Sequence, residues 1–150
     1  MESKTKRCHI DHGFGFPVKL LNVPMTKVRG EWTPAINYNL LADVVLRELC
    51  EKEGRLTGSE VRFMRQHFEM TLQAFAKRFG VTHPGVLKWE RMKKKPTGMN
   101  WATEKDIRLF VLLKLSSRSK EVVELYAMLE EVMEESRDFE VEVDARKLAA

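Results

Sequence analysis

Up to about residue 36 the apolar and polar positions of this chain alternate, and beyond it they recur with a helical period. Residues 14–33, "FGFPVKLLNVPMTKVRGEWT", carry branched and alternating apolar residues punctuated by Gly15, Pro17, Pro24 and Gly30. Such a stretch predicts short strands forming a hairpin, confined by its prolines to sheet edges or strand ends. From Asn37 onward Leu40, Leu41, Val44, Val45 and Leu49, with Glu48 among them, fall along one side of a helix that stops near Gly54. Residues 100–115, "NWATEKDIRLFVLLKL", predict another helix with Ile107, Phe110, Val111 and Leu115 inward. Ser116 to Ser119 breaks it. A last helix, "KEVVELYAMLEEVMEES", carries a stripe of Val122, Leu125, Leu129, Val132 and Met133. The tail alternates Phe139, Val141 and Val143 with acids, a short strand of period two.

Between these lies the stretch with the sharpest local signals. Thr57 and Glu60 have the spacing of a capping box, and Val61, Met64 and Phe68 follow at helical intervals. Thr71 is a second N-cap candidate, before "LQAFAKRFG". Gly80 is placed to end that helix in a left-handed turn, and Thr82 offers a third N-cap directly afterwards. Two helices that cross steeply need a small residue at closest approach, a turn residue tolerant of positive φ, and bulky residues filling the angle. Ala76, Gly80 and the set Phe75, Phe79, Val81, Val86 and Trp89 supply all three.

Composition changes the picture less than charge placement does. The chain has 150 residues, 43% hydrophobic, with a net charge of +4. That length supports one core and a small appendage. The segment from Lys77 to Lys95 contains Lys77, Arg78, Lys88, Arg91, Lys93, Lys94 and Lys95 against Glu90 alone. The segment from Glu121 to Asp144 is dominated by Asp and Glu, with Arg137 its single base. A basic middle suits a polyanion, whereas an acidic end suits a basic protein or a partner subunit. No apolar run follows the basic N-terminus and none reaches membrane-span length, so a soluble cytoplasmic protein with no membrane partner is expected.

Residues 56–90, "LTGSEVRFMRQHFEMTLQAFAKRFGVTHPGVLKWE", resemble a helix-turn-helix of the phage-repressor and Cro type, the XRE family. The opening "LTGSEVRFMR" and the closing "VLKWE" are similar to the DNA-binding half of MqsA-type and HigA-type antitoxins. The resemblance implies a recognition helix over residues 82–92 that enters the major groove by its N-terminal end. Carried over by position, His83, Pro84, Gly85, Leu87 and Lys88 would meet base edges. Thr71, Gln73, Lys77, Arg78, Thr82, Arg91, Lys93, Lys94 and Lys95 would contact phosphates. Two departures stand out. Leu72 occupies the position where relatives carry a phosphate-contacting glutamine, with Gln73 one residue later. The glycine that usually follows the Trp-Glu pair is replaced by "RMKKKP".

MqsA-type proteins also carry an N-terminal zinc domain with two Cys-x-x-Cys pairs, and both pairs are missing here. Cys8, His9, His12 and Cys50 are ligand types, but the adjacent Cys8 and His9 fit one tetrahedral ion poorly. Neither a metal nor another cofactor is expected. "GFGF" lacks the length and the lysine of a phosphate loop, and His67 and His83 have no nucleophile at useful spacing, so no enzyme is expected. Helices 101–115 and 119–135 are candidates both for dimer contacts and for core.

The resulting expectation is a mainly α fold, a five- to six-helix domain built on a lambda-repressor-like helix-turn-helix. A small N-terminal β element and a short C-terminal strand complete it. Its expected divisions are 1–36 (an extension with short strands), 37–116 (the DNA-binding domain, motif 71–92) and 117–150 (an acidic helix and tail). The expected function is a dimeric, sequence-specific regulator of double-stranded DNA, a repressor. Its rivals are an antitoxin that binds a toxin protein and autoregulates its operon, and a protein-interaction module without DNA binding.

Overall fold

The computed structural model describes residues 2–115, 119–129 and 138–150. It is a mixed α/β fold, 49% helical and 24% strand, which corrects the mainly α expectation. In chain order its elements are β1 (Ser3–Asp11), β2 (Val18–Val28), β3 (Glu31–Pro34), α1 (Tyr38–Glu51), α2 (Gly58–His67), α3 (Leu72–Arg78), α4 (His83–Arg91), α5 (Trp101–Leu115), α6 (Ser119–Leu129) and β4 (Val141–Asp144). A single 3-10 turn, Ala145–Leu148, follows β4.

The β element is larger than expected for two physical reasons. No side chain of β1 is buried, so "SKTKRCHID" carries no alternation to read, although the strand pairs with β2 antiparallel from Ser3↔Thr26 to Asp11↔Val18. Pro24, which suggested an interruption, lies inside β2. Its carbonyl accepts from Ala35 N at 2.7 Å, so its missing N–H faces the same side, between the residues paired with β4 (Val18 to Leu21) and those paired with β3 (Met25 to Val28). The bond that proline cannot give to the opposite Ala35 carbonyl is replaced by one from Ala150 N at 3.4 Å. Asn22, at φ 54°, shifts the inward face, so that Val18 and Leu20 are followed by Val23 and Met25 as the buried residues. Arg29 and Gly30, at φ 51° and 85°, make the two-residue left-handed turn that suits a β2–β3 hairpin. The C-terminal strand β4 runs parallel to β2, Val18↔Val141 to Leu21↔Asp144, with Val141 and Val143 buried.

Contacts divide the chain into two units, Met1–Val45 with Glu140–Ala150, and Leu46–Phe139. The boundary falls inside α1. The first unit contains the sheet, the 3-10 turn against β2 and the start of α1, where Asn37 Oδ1 accepts from Asn39 N and Leu40 N. Its core includes Val18, Leu20, Val23, Met25, Leu41, Val45, Val141 and Leu148; Leu40, expected in the helix stripe, is 42% exposed.

The second unit is helical. Its apolar interior is formed by Leu46, Leu49, Leu56, Val61, Met64, Phe75, Val86, Ile107, Val111 and Leu112. On α5 the inward face also carries two fully buried charges, Glu104 and Arg108, while Phe110 and Leu115 are half-buried. The break expected over Ser116 to Ser119 falls outside the described residues except for Ser119, which opens α6. Val132 and Met133 also lie outside them.

Candidate nucleic-acid interface

Three capped helices build the site. At α2, Thr57 Oγ1 accepts from Glu60 N at 3.3 Å and Glu60 Oε1 accepts from Thr57 N at 2.9 Å, a complete capping box. Thr71 Oγ1 accepts from Ala74 N at 3.0 Å, and Thr82 Oγ1 from Gly85 N at 3.1 Å. Pro84 sits in the first turn of α4, where its missing N–H leaves no helical bond unmade. Gly80, at φ 67°, turns the chain between α3 and α4.

The position of α4 is fixed from its inner side. Arg65 Nε donates to Glu90 Oε2 at 2.7 Å, and its Nη2 donates to Glu90 Oε1 at 2.9 Å. Arg65 Nη1 reaches the Met70 carbonyl at 2.9 Å, so one guanidinium ties α2, the approach to α3, and α4 together. The bonds to Glu90 raise the Arg65 pKa above its ordinary value, against the opposing pull of burial. At the end of α4 the backbone takes over. The first amides of α2 meet the segment after α4, Gly58 N donating to Lys95 O at 3.2 Å and Ser59 N to Lys93 O at 3.1 Å. Those orphan helix donors are thus satisfied by backbone carbonyls. Lys93 holds φ 54°, which aims the following residues back across α2.

The residues expected at the interface divide cleanly by exposure. Thr71, Gln73, Lys77, Arg78, Thr82, Pro84, Lys88, Arg91, Lys93, Lys94 and Lys95 are exposed, and His83, Gly85 and Leu87 are half-exposed. Pro84, Lys88 and Arg91 are spaced four and three apart, on one strip of α4. Arg78 is engaged already: its Nη1 bridges Asp106 at 3.2 Å, and its guanidinium stacks 4.8 Å from the Phe79 ring centre. In the expected motif core, Phe75, Ala76, Phe79 and Val86 are buried. Val81 and Trp89 are half-buried and Gly80 is exposed at the turn.

Several supporting residues escaped sequence reading. Gly58 is one: a Cβ there would lie 2.3 Å from the Trp89 carbonyl oxygen and 2.7 Å from Lys93 N. Its signal, a glycine beside a cap threonine, is also what an ordinary helix start looks like. Arg108 is another. It is fully buried, bridges Glu104 at 2.8 Å, and donates to the carbonyls of Cys50 at 3.2 Å, Lys52 at 2.7 Å and Gly54, closing the C-terminal end of α1. Glu104 also accepts from Arg55 Nε at 2.9 Å and from Leu56 N at 3.1 Å. Lys52 and Glu60 form a further buried pair at 2.8 Å. The i,i+4 spacing of Glu104 and Arg108 was visible, but such a pair is ordinarily a surface pair.

Comparison with known proteins finds no matching family model, no matching curated protein and no matching solved structure. Among the described residues no group of three or more His, Cys, Asp and Glu side chains is placed to hold a metal ion. Among them, too, no helix is long and apolar enough to cross a membrane.

Proposed function

We propose that this protein is a sequence-specific regulator that binds double-stranded DNA as a dimer, inserting α4 into the major groove and repressing by occupancy of its site. One observation carries the reading. Glu90, the sole acid between Lys77 and Lys95, is turned inward onto Arg65, while Lys88, Arg91 and Lys93 to Lys95 remain on the exposed side. The charges on the outward surface of α4 and its extension are therefore all positive, which suits a phosphate backbone.

Size and rigidity support the same reading. A helix about 10–12 Å across with its side chains fits a major groove about 12 Å wide, and the nine residues of α4 span about 13 Å of its axis. Lys88 is the residue on α4 best suited to guanine acceptors, with His83 beside it and Pro84 and Leu87 able to meet thymine methyls. Lys93, Lys94 and Lys95 follow on backbone clamped to α2, so their register along a phosphate strand is set before binding. Dimerisation is part of the proposal because one short helix reads few base pairs and two half-sites multiply specificity.

Selection of bound duplexes from a randomised DNA pool tests this directly. Enrichment of paired half-sites about 10 base pairs apart, centre to centre, is the expected result. A pool that stays random after repeated rounds contradicts it.

A further inference from the structure

Beside α3 a cavity of about 290 Å³ is lined by Phe68, Met70, Arg78, Phe110 and Lys114. Its volume is close to the lower end, about 300 Å³, of ordinary small-molecule sites. The floor is apolar and built from two sequence-distant places: the connection between α2 and α3, with Phe68 and Met70, and α5, with Phe110. Phe68 meets the Phe110 ring edge-on at 5.9 Å, and Phe79 meets the same ring at 5.4 Å, so the floor is braced. Met70 contributes an unbranched thioether that adapts to the shape of a guest.

Two cations stand over that floor. The guanidinium of Arg78 lies 5.0 Å from the Phe110 ring centre, and Lys114 Nζ lies 5.5 Å from the same centre. Two positive groups drawn to one ring repel each other, and an anion placed between them relieves that repulsion. The existing partner of Arg78 is Asp106, in an exposed bridge of 3.2 Å through Nη1. Exposed bridges of this kind contribute little, and a guanidinium carries five N–H donors, so a second carboxylate can share or replace Asp106.

We propose that this cavity binds a small amphipathic carboxylate, its apolar body on Phe68, Met70 and Phe110 and its carboxylate between Arg78 and Lys114. The observations that fix the ligand class are an aromatic floor, two lining cations that lie 5.0 and 5.5 Å from the Phe110 ring centre, and a volume that admits a single ring or short chain. The proposal stands on the cavity and is independent of DNA binding by α4.

Calorimetric titration of the full-length protein, without DNA, decides it, with phenylbutyrate as probe, phenylbutanol as its uncharged counterpart and acetate as a carboxylate without the apolar body. Saturable one-to-one binding of phenylbutyrate is expected, with phenylbutanol about tenfold weaker and acetate showing no saturable heat. Lys114→Gln alters an exposed side chain and leaves the fold intact. It should weaken phenylbutyrate about tenfold while leaving the affinity for phenylbutanol unchanged. Arg78→Gln should behave in the same way. Failure of phenylbutyrate to saturate, equal affinity for acid and alcohol, or unchanged affinity in both variants overturns the proposal.

Discussion

Arg65 and Glu90 meet through two parallel hydrogen bonds, at 2.7 and 2.9 Å, across the junction of α2 and α4. Twenty-five residues apart in sequence, they are the side-chain link that sets the orientation of the candidate recognition helix. Their side chains are 13% and 6% exposed, so the pair is largely dry. Removal of one partner from such a pair leaves a buried charge, and Arg65→Gln should cost about 3 kcal/mol in urea denaturation. The double change Arg65→Met with Glu90→Leu should recover most of that loss, because an apolar pair avoids the desolvation cost. If the double variant is as unstable as the single one, the pair is not an isolated electrostatic unit.

Gly58 gives a prediction of opposite sign to helix propensity. At an open helical site Gly→Ala gains up to about 1 kcal/mol. Here the added Cβ would meet the Trp89 carbonyl oxygen at 2.3 Å, and backbone cannot move aside as a side chain can. Gly58→Ala should therefore destabilise the protein by about 2 kcal/mol, read as a lower urea midpoint. A neutral or stabilising effect would mean that α2 and the end of α4 lie farther apart than described.

Arg108 bears on the same unit from α5. Arg108→Met leaves Glu104 with Arg55 as its remaining cation and removes the donor to the carbonyls of Cys50, Lys52 and Gly54. A loss of about 3–5 kcal/mol is expected from the unpaired buried groups. Thermal unfolding monitored by circular dichroism checks this, and a loss under about 1 kcal/mol would contradict the buried network.

Cys50 should be chemically silent while the protein is folded. Burial pushes its thiol pKa up to about 12 from a usual 9.0, outweighing the opposing influence of Arg108. The thiolate is the reactive form, so an aromatic disulfide reagent at neutral pH should label the half-exposed Cys8 quickly and Cys50 only as fast as the unit unfolds. The linkage sign follows from the same shift. Below pH 9 the thiol is neutral in both states. As pH rises from 9 towards 12 the unfolded thiol ionises while the folded one stays protonated, so stability falls across that window. Cys50→Ala should flatten that alkaline decline, and an unchanged decline would assign it to other groups.

The helices α2 to α4 were legible because their signals are local. Thr57, Glu60, Thr71, Gly80 and Thr82 act within three or four residues of themselves, and each occupies in the fold the turn or cap that its chemistry favours. The sheet was not legible to the same degree. β1 buries none of its side chains and is specified by pairing with β2, while Pro24 sits opposite Ala35, whose carbonyl accepts from Ala150 N instead. Buried charges were hidden for a related reason. Lys52, Glu60, Glu104 and Arg108 read as surface residues in one dimension, and only their partners across the fold make burial tolerable. At the candidate interface the basic residues were legible as a cluster. The clamp on Lys93 and Lys95 was not, because it needed a glycine at 58 with no side chain against the end of α4.

In the proposed function α4 reads DNA sequence while the lysines after it hold the backbone. Fluorescence anisotropy tests it with a selected duplex and a scrambled one, each at two salt concentrations, for the wild type, Lys88→Ala and Lys94→Ala. Preference for the selected duplex is expected, eroded by about 1–3 kcal/mol in Lys88→Ala. Lys94→Ala should weaken both duplexes alike and reduce the log-log salt slope by about 0.9. Equal affinity of the wild type for both duplexes, or a preference that Lys88→Ala leaves intact, would contradict it.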